Sequence, residues 1–308
     1  DVEKSQWVKW INIIPDTTFP HDAGYTEIIV KTPDSERNSY LIKRLVMSSK
    51  HVIISGPTGT GKTKNILDML TKGLPESKYY SLVINFSAQT TARQTQDSIS
   101  QILKRKVRNT FQPEGTDRHG PIFIDDLNMP ERQKSGAQPP IELVRQWLDH
   151  KGWYELRTKV LLTIERLIFI GAMGPPGGGR SLISQRFQRH FNLITCTELE
   201  DQSVRIIFNA LVSHFLTRFT DQVKECIGGL ITSTLVIYKD IKHNLLPTPK
   251  KAHYMFNLRD MSKVLQGVCS ASNKHSTTKV DIVRLWIHEM TRVFCDRLID
   301  DTDRDWFK

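Results

Sequence analysis

The sequence predicts an α/β fold in which a parallel sheet, covered by helices on both faces, is followed by a small all-helical domain. A glycine-rich loop separates a short apolar run from a helical pattern within residues 51–70. Apolar runs and helical patterns then alternate, which is typical of a parallel sheet. From about Glu198 onward, amphipathic helices are predicted with few strand candidates between them. We therefore place an α/β domain at residues 1–199 and a helical domain at residues 200–308.

The glycine-rich loop, residues 56–63, has the spacing G-x-x-x-x-G-K-T. Residues 51–55 before it predict a buried strand and residues 65–70 after it predict a helix, an order that aims backbone N–H groups at phosphate oxygens. Lys62 would then reach the β- and γ-phosphates, and the Thr63 hydroxyl would ligate Mg²⁺. We expect ATP or ADP with Mg²⁺ as the ligand, because a chance match would not bring the flanking strand and helix. The expected contacts are Pro57, Thr58, Gly59, Thr60, Gly61, Lys62, Thr63 and Asn65.

Four further apolar runs predict the other strands of the sheet, at residues 81–86, 121–124, 167–173 and 191–195. Ligands of parallel sheets bind at the carboxyl ends of the strands, which is where the glycine-rich loop and Asp125 fall. Between the first two runs, apolar residues at helical spacing predict a helix: Ile99, Ile102, Leu103 and Val107. The basic run 104–108 is interpreted as the end of that helix, where cations are favourable.

Two carboxylates, Asp125 and Asp126, end the strand at 121–124, which is the Walker B pattern. Asp125 would orient the Mg²⁺ shell. Asp126 occupies the position that usually carries the glutamate that polarises the attacking water, and its side chain is one C–C bond, ~1.5 Å, shorter. Misplacement by about 1 Å can cost on the order of a hundredfold in rate. Outside this context, acidic residues after a strand usually indicate a turn.

Three further positions complete the candidate site. In the glycine- and proline-rich turn 174–180, Gly174 stands where many ATPases place a polar residue that touches the γ-phosphate. Arg186, just before the last strand, can project into a neighbouring module's site and neutralise transition-state charge, with Arg189 as the second candidate. Arg259 opens a helix of the second domain and could fold onto the same phosphates. An ordinary surface position is the alternative for each arginine.

The second domain is predicted to contain helices at residues 204–219, 227–238, 258–269 and 280–298, with a loop at 242–251. Upstream of it, Trp147, Trp153 and Tyr154 lie in a long segment between the acidic pair and the next strand. That segment is either an inserted hairpin that contacts neighbours or part of the core, and the sequence does not choose between them.

Composition limits the class of protein. The net charge of +10 permits a nucleic-acid partner, but the basic residues are spread along the chain and form no aromatic-lined stripe, so we expect none. The four cysteines are widely separated, which fits a reducing compartment and argues against a zinc site. No apolar run approaches the ~20 residues of a membrane span. The chain opens with Asp1, not Met, so we expect a piece of a longer protein.

These parts in this order, with Asp125-Asp126 after the phosphate loop, Arg186 before the last strand and Arg259 on a helical lid, resemble the AAA+ family. Several segments look like the third AAA+ module of an axonemal dynein heavy chain: 85–91, 125–130, 136–140, 174–180, 186–191 and 256–260. The resemblance spans nearly the whole chain and includes residues 27–33. By that similarity Ile29, Val30 and Thr32 would lie against the adenine.

The resemblance implies a role in a ring of six AAA+ modules that moves along microtubules, with the third module as a nucleotide-dependent regulator. The implied partners are the neighbouring modules of the same heavy chain and the motor assembly, without direct microtubule contact and without a membrane. The implied location is the cytoplasmic cytoskeleton of a ciliary or flagellar axoneme. Arg186 would serve the preceding module's site, and slow or absent hydrolysis is expected from Asp126 and Gly174.

Two alternatives stay open beside this interpretation. One is an AAA+ ATPase that acts on nucleic acid, which the charge permits. The other is a structural module in which ADP is bound permanently. Whether the chain is an active ATPase is not decided by its sequence.

Overall fold

The structure, a computed structural model, describes residues 7–12, 14, 19–20, 23–115, 117–155, 158–273 and 278–308. In chain order its strands are β1 (His51–Ser55), β2 (Leu82–Asn85), β3 (Leu103–Val107), β4 (Thr110–Pro113), β5 (Gly120–Asp125), β6 (Gly152–Tyr154), β7 (Leu161–Ile164), β8 (Leu167–Met173) and β9 (Phe191–Thr195). Its helices are α1 (Pro33–Met47), α2 (Lys62–Asp68), α3 (Ala92–Ser100), α4 (Pro139–His150), α5 (Gln185–Gln188), α6 (Asp201–Phe215), α7 (Asp221–Asn244), α8 (Leu258–Cys269), α9 (Lys279–Val293) and α10 (Asp301–Phe307).

The chain divides into two compact units. The α/β unit is Arg37–Glu198, and the helical unit joins the described residues of Asp1–Glu36 to those of Leu199–Lys308. The sequence places residues 1–199 together, so the two divisions differ at the N-terminal segment. Ile28 of that segment is buried in the hydrophobic core of the helical unit, and Val30 packs against the same core.

The α/β unit is built on a five-stranded parallel sheet in the order β2-β5-β8-β1-β9, which confirms the predicted fold class. Alternate residues of a strand point to opposite faces. Ile53 accordingly packs into one hydrophobic cluster with residues of α3 and α4, and Ile54 packs into another with residues of α1 and α2. Both faces of the sheet are therefore covered by helices, and β1 carries the phosphate loop out of the buried core.

The helix predicted from Ile99 to Val107 is wrong in its second half. The helix α3 ends at Ser100, and Leu103–Val107 is strand β3, paired antiparallel with β4. Pairing with β4 determines this segment, and its helical spacing of apolar residues is coincidental. The basic run 104–108 is therefore not a helix end, and Lys104 and Lys106 form ion pairs with carboxylates of Glu114 and Glu165 at 2.7 and 2.9 Å.

A second sheet of four strands, in the order β3-β4-β7-β6, contains the segment that the sequence left open. Strands β6 and β7 form an antiparallel hairpin. Trp153 on β6 and Trp147 on α4 are nevertheless buried, at 1% and 2% exposure, whereas Tyr154 is 54% exposed. The hairpin is therefore present and its tryptophan belongs to the core, whereas its contact with neighbours stays a prediction.

The helical unit contains α6 to α10, and two predicted boundaries move. The helix α7 runs from Asp221 to Asn244, so it takes in the start of the predicted loop at 242–251. The helix α9 ends at Val293, and a short 3-10 turn follows at Cys295–Arg297. Within the described part of the chain, no helix is long and apolar enough to cross a membrane.

Candidate nucleotide-binding site

The phosphate loop connects β1 to α2 through two glycines in left-handed backbone conformation. Gly59 has φ 86° and Gly61 has φ 77°, and residues other than glycine rarely adopt such values. The Asn65 N–H donates to the Gly61 carbonyl at 3.0 Å, and the Thr60 hydroxyl donates to the Pro57 carbonyl at 3.1 Å. These bonds hold the loop as a compact cradle at the start of α2.

Lys62 lies folded over this cradle. Its Nζ donates to the carbonyls of Gly56 and Pro57 at 2.7 and 2.6 Å and to the Thr60 hydroxyl at 3.2 Å. Burial lowers the pKa of Lys62 from its usual value, and the charge of Arg180 acts in the same direction. Cys196, Asp125 and Asp126 act in the opposite direction on the same pKa. The ammonium group is thus held inside the loop by three hydrogen bonds, and the charges of both carboxylates of the acidic pair act on it.

The two predicted Mg²⁺ ligands lie together. The Thr63 hydroxyl donates to Asp125 Oδ2 at 2.8 Å. A hydroxyl and a carboxylate are the hard oxygen donors that Mg²⁺ takes in phosphate-binding proteins, so this donor set fits the ion. Among the described residues, no group of three or more His, Cys, Asp or Glu side chains forms a metal site of another kind.

Asp126 follows Asp125 in a strained turn. Its φ is +49°, and its backbone N–H donates to Asp125 Oδ1 at 3.0 Å. The Asp126 carboxylate accepts a hydrogen bond from Arg180 Nη2 at 3.2 Å, which is also an ion pair. From the sequence, Arg180 is predicted only as the last residue of a glycine-rich turn. Its position after three glycines is the one sequence signal that could have indicated a side chain placed by a tight turn.

Gly174 makes the close approach of Arg180 possible. A Cβ at Gly174 would lie 3.0 Å from Arg180 Nε and 3.1 Å from its Cδ and Cζ. The Gly174 carbonyl accepts a hydrogen bond from the buried Asn128 side chain at 2.8 Å. Gly174 therefore has no polar side chain, and the Arg180 guanidinium occupies the space where one would begin.

Arg186 and Arg189 lie at different places around the short helix α5. Arg186 is exposed, and its guanidinium forms no ion pair within the described ranges of the chain. Arg189 donates from Nη2 to Asp149 Oδ1 at 2.7 Å, and Asp149 also contacts Arg145 and His190. The hydrogen bond from Arg189 lowers the pKa of Asp149. Of the two candidate trans arginines, only Arg189 is held by its own chain.

The remaining candidates belong to the helical unit. Thr32 is buried at 2% exposure and exchanges hydrogen bonds with Ser35 at the start of α1. Ile29 and Val30 are partly buried. Arg259 lies exposed in the first turn of α8, where its backbone N–H donates to Asn257 Oδ1 at 2.8 Å. The structure thus brings the phosphate-loop residues and the acidic pair together in one unit and these four residues into the other.

A separate cavity of about 680 Å³ lies between α3 and the second sheet. Arg93 and Asp97 of α3, Arg105 of β3 and Trp153 of β6 are among its lining residues. No residue of the phosphate loop or of the acidic pair lines it. This cavity is therefore distinct from the site that the sequence motif defines.

Comparison with known proteins gives a consistent family. Residues 17–199 match the family described as the P-loop containing dynein motor region, and residues 230–308 match an AAA+ lid domain. The chain is 43% identical over 321 residues to dynein axonemal heavy chain 1 of Rattus norvegicus, which covers 99% of the chain and 7% of that protein. It is 42% identical to the Homo sapiens protein of the same name, over 98% of the chain and 7% of the relative. It is 39% identical to dynein axonemal heavy chain 12 of Mus musculus, over 98% of the chain and 10% of the relative.

Proposed function

The chain belongs to the P-loop AAA+ motor region of the dynein heavy chains, and from this premise we propose that it is a regulatory module that binds ATP or ADP. The observation that carries the proposal is the hydrogen bond between Thr63 and Asp125, with Lys62 beside it on the phosphate loop. Two Mg²⁺ donors and a phosphate-binding cation in one place are what a nucleoside polyphosphate requires.

Each residue of the loop has a part in binding. Lys62 would exchange its bonds to the Gly56 and Pro57 carbonyls for phosphate oxygens. Thr63 and Asp125 would hold Mg²⁺, which when bound neutralises charge on the phosphate oxygens. The backbone N–H groups at the start of α2 point toward the same phosphates, as at other helix N-termini.

Hydrolysis is proposed to be slow or absent. The Asp126 side chain is shorter than the usual glutamate by one C–C bond, ~1.5 Å, which holds its carboxylate back from the attacking water. Gly174 has no side chain with which to position water. These features weaken activation of the attacking water and leave the phosphate-binding groups intact.

We place the module third in the ring, on the segments that resemble that position. The relatives are axonemal heavy chains, and the chain spans about a tenth or less of their length. The partners would be the neighbouring AAA+ modules and the microtubule motor assembly, located in the cytoskeleton of an axoneme. Ile29, Val30 and Thr32 would contact the adenine, and Arg259 would reach the phosphates from the lid. Arg186, whose guanidinium forms no ion pair with the described residues, would serve the preceding module.

A nucleic-acid role is less favoured by the geometry. The densest basic run contains Lys104 and Lys106, and both are paired with carboxylates. Phosphate contacts would have to compete with these pairs, and the resulting affinity would fall steeply with salt. A permanent, structural ADP is the second alternative, and the rate of nucleotide exchange distinguishes it from a switch.

The test is the nucleotide content of the purified chain, measured by denaturation and chromatography, followed by exchange with labelled ATP. We expect bound ADP or ATP that exchanges within minutes, and loss of binding in Lys62→Ala. The matched control is Lys72→Ala, because Lys72 is 79% exposed and, among the residues that the structure describes, forms an ion pair only with Asp68 one turn earlier. A chain that neither contains nor binds nucleotide would overturn the proposal, and ADP that never exchanges would favour the structural alternative.

A further inference from the structure

We propose that Arg180 is a positioning residue that distinguishes ATP from ADP: it holds the Asp126 carboxylate when no γ-phosphate is present and moves to the γ-phosphate when ATP binds. The inference rests on the proposed nucleotide binding and adds a residue, and a selectivity, that the family motif does not contain. Its basis is the ion pair between Arg180 Nη2 and Asp126 Oδ1 at 3.2 Å.

The Arg180 guanidinium does not use all of its hydrogen-bond donors. Arg180 Nε is buried and has no hydrogen-bond partner within the described part of the chain. The side chain as a whole is 23% exposed and that of Asp126 is 48% exposed, so the pair lies at an accessible edge. Asp126 therefore occupies one donor of the guanidinium and leaves Nε unpaired among the described residues, and a planar guanidinium can bind an anion of two or three oxygens in a bidentate manner.

A rigid turn aims this side chain. Gly177 and Arg180 exchange backbone hydrogen bonds at 3.0 and 3.1 Å, and the two residues between them, Gly178 and Gly179, have φ of 57° and 84°. Both central residues of this tight turn need left-handed backbone, which glycine adopts at no steric cost. The guanidinium then lies against Gly174, where a Cβ would come within 3.0 Å of it and force it to shift by a few tenths of an ångström.

The turn begins beside the phosphate loop. Strands β1 and β8 are parallel neighbours, with Ser55 opposite Met173, and the Gly56 N–H donates to the Met173 carbonyl at 3.2 Å. Arg180 is also close enough to lower the pKa of Lys62, in addition to the larger effect of burial. Through its ion pair with the carboxylate next to Asp125, the guanidinium also lies at the same edge of the sheet as the phosphate loop.

Charge decides which partner Arg180 takes. The Asp126 carboxylate carries one negative charge, whereas the γ-phosphate of ATP carries more and presents three oxygens at a position that is empty when ADP is bound. ATP therefore competes with Asp126 for the guanidinium, and ADP lacks the group that competes. Once released, the Asp126 carboxylate is free to accept a hydrogen bond from water, so the same exchange connects nucleotide state to the catalytic carboxylate.

The test compares the affinity of the chain for ADP with its affinity for a non-hydrolysable ATP analogue, each with Mg²⁺. In Arg180→Ala we expect analogue binding to weaken by roughly tenfold or more, because a charge-assisted bond is lost, and ADP binding to change by less than about twofold. Arg93→Ala is the matched control, because Arg93 is 73% exposed on α3 and away from the loop. Equal changes for both nucleotides, or no change in either, would contradict the proposal.

Asp126→Asn supplies a second variant that does not depend on the folding of Arg180→Ala. Removing the competing carboxylate should strengthen analogue binding severalfold and leave ADP binding unchanged. In an Arg180→Ala background the same substitution should give no such gain. A gain that persists without Arg180 would mean that Asp126 merely repels phosphate, and the proposal would then fail. Failure of wild-type chain to bind either nucleotide would instead count against nucleotide binding itself.

Discussion

The Thr63 hydroxyl and Asp125 Oδ2 are 2.8 Å apart, although the two residues belong to different elements of the α/β unit. Thr63 lies in the first turn of α2 and Asp125 is the last residue of β5. The parallel sheet brings them together because the phosphate loop and the end of β5 lie at the same edge. A single ion could therefore be held by both, without rearrangement of either element.

Asp125→Asn should remove most of the Mg²⁺ dependence of nucleotide binding. The amide keeps the shape of the carboxylate but loses the charge that an oxygen-seeking dication requires. We expect ADP affinity in wild-type chain to fall on addition of EDTA, and affinity in the variant to respond little. Calorimetric titration with and without EDTA measures this.

The matched pair for the threonine is Thr63→Val and Thr71→Val. Within the described part of the chain, the Thr71 hydroxyl bonds only to the backbone carbonyls of Leu67 and Asp68 one turn earlier, so its loss should leave the Mg²⁺ dependence intact. Thr63→Ser should retain the dependence because it keeps the hydroxyl. If Thr63→Val bound Mg²⁺-nucleotide as well as wild type, the assignment of Thr63 as a ligand would be wrong.

Asp126→Glu should raise ATP turnover if the short side chain limits hydrolysis. The added methylene returns the carboxylate toward the attacking water, and misplacement of about 1 Å can be worth on the order of a hundredfold in rate. The measurement is phosphate release by a longer heavy-chain segment that includes the neighbouring modules, since a trans arginine is needed. Asp97→Glu, an exposed substitution on α3, is the control. Unchanged turnover would remove side-chain length as the explanation.

Arg186→Ala should slow hydrolysis at the preceding module's site and leave the stability of this chain unchanged. The guanidinium forms no ion pair within the described ranges, so the substitution removes no ion pair there. A trans arginine is worth about 10³–10⁵ in kcat in other phosphoryl-transfer sites, so a large effect is expected. The assay is phosphate release by a segment that contains the preceding module.

Arg189→Ala supplies the comparison. Its guanidinium is held by Asp149 at 2.7 Å, so its removal should affect unfolding more than neighbouring hydrolysis. The pair is partly exposed, so the loss in stability should be about 1 kcal/mol or less. A large loss of hydrolysis in Arg189→Ala, with none in Arg186→Ala, would reverse the two roles.

The parts of the site that depend on local pattern could be predicted from the sequence, and those that depend on turn geometry could not. The phosphate loop and Asp125 follow strands, and strand ends in a parallel sheet converge. The pairing of Arg180 with Asp126 depends on a glycine turn whose direction no residue spacing encodes. Gly174 was accordingly interpreted as a lost side chain, whereas the structure shows an arginine against it.

Contacts with other segments, near or distant in the chain, account for the places where the structure differs from the predicted fold. Helical spacing extended through Leu103, but hydrogen bonding to β4 makes this residue the start of a strand. The grouping of Ile28 with the helical core is a contact across more than half the chain. Periodicity reports which face of a segment is apolar and not what that face will meet.

Acid should destabilise the α/β unit through His51. Its Nδ1 accepts a hydrogen bond from the Phe169 N–H at 3.0 Å, and its ring packs edge-on against Trp147. Burial, together with the smaller effects of the charges of Lys151, His190 and Lys50, lowers the pKa of His51 from 6.5 to about 4. His51 therefore binds a proton more weakly in the folded state than in the unfolded state.

Proton binding to the unfolded state determines the direction in which pH changes the free energy of unfolding. Above the unfolded pKa both states are neutral and His51 contributes its full native bonding, and stability is lost as pH falls from 6.5 toward about 4. Between about pH 7 and pH 5 the loss should approach roughly 2 kcal/mol in the free energy of unfolding. Urea unfolding of the chain at the two pH values measures it.

His51→Asn isolates this effect, because the Asn Oδ1 can replace Nδ1 as the acceptor for Phe169 N–H and does not titrate. We expect the variant to lose some stability at neutral pH, because the ring no longer packs against Trp147, and to lose much less than wild type on acidification. His243→Asn, on the exposed end of α7, should leave the wild-type acid dependence unchanged. If His51→Asn kept that dependence in full, the acid sensitivity would have to arise from carboxylates such as Asp149, whose pKa is lowered by its bond to Arg189.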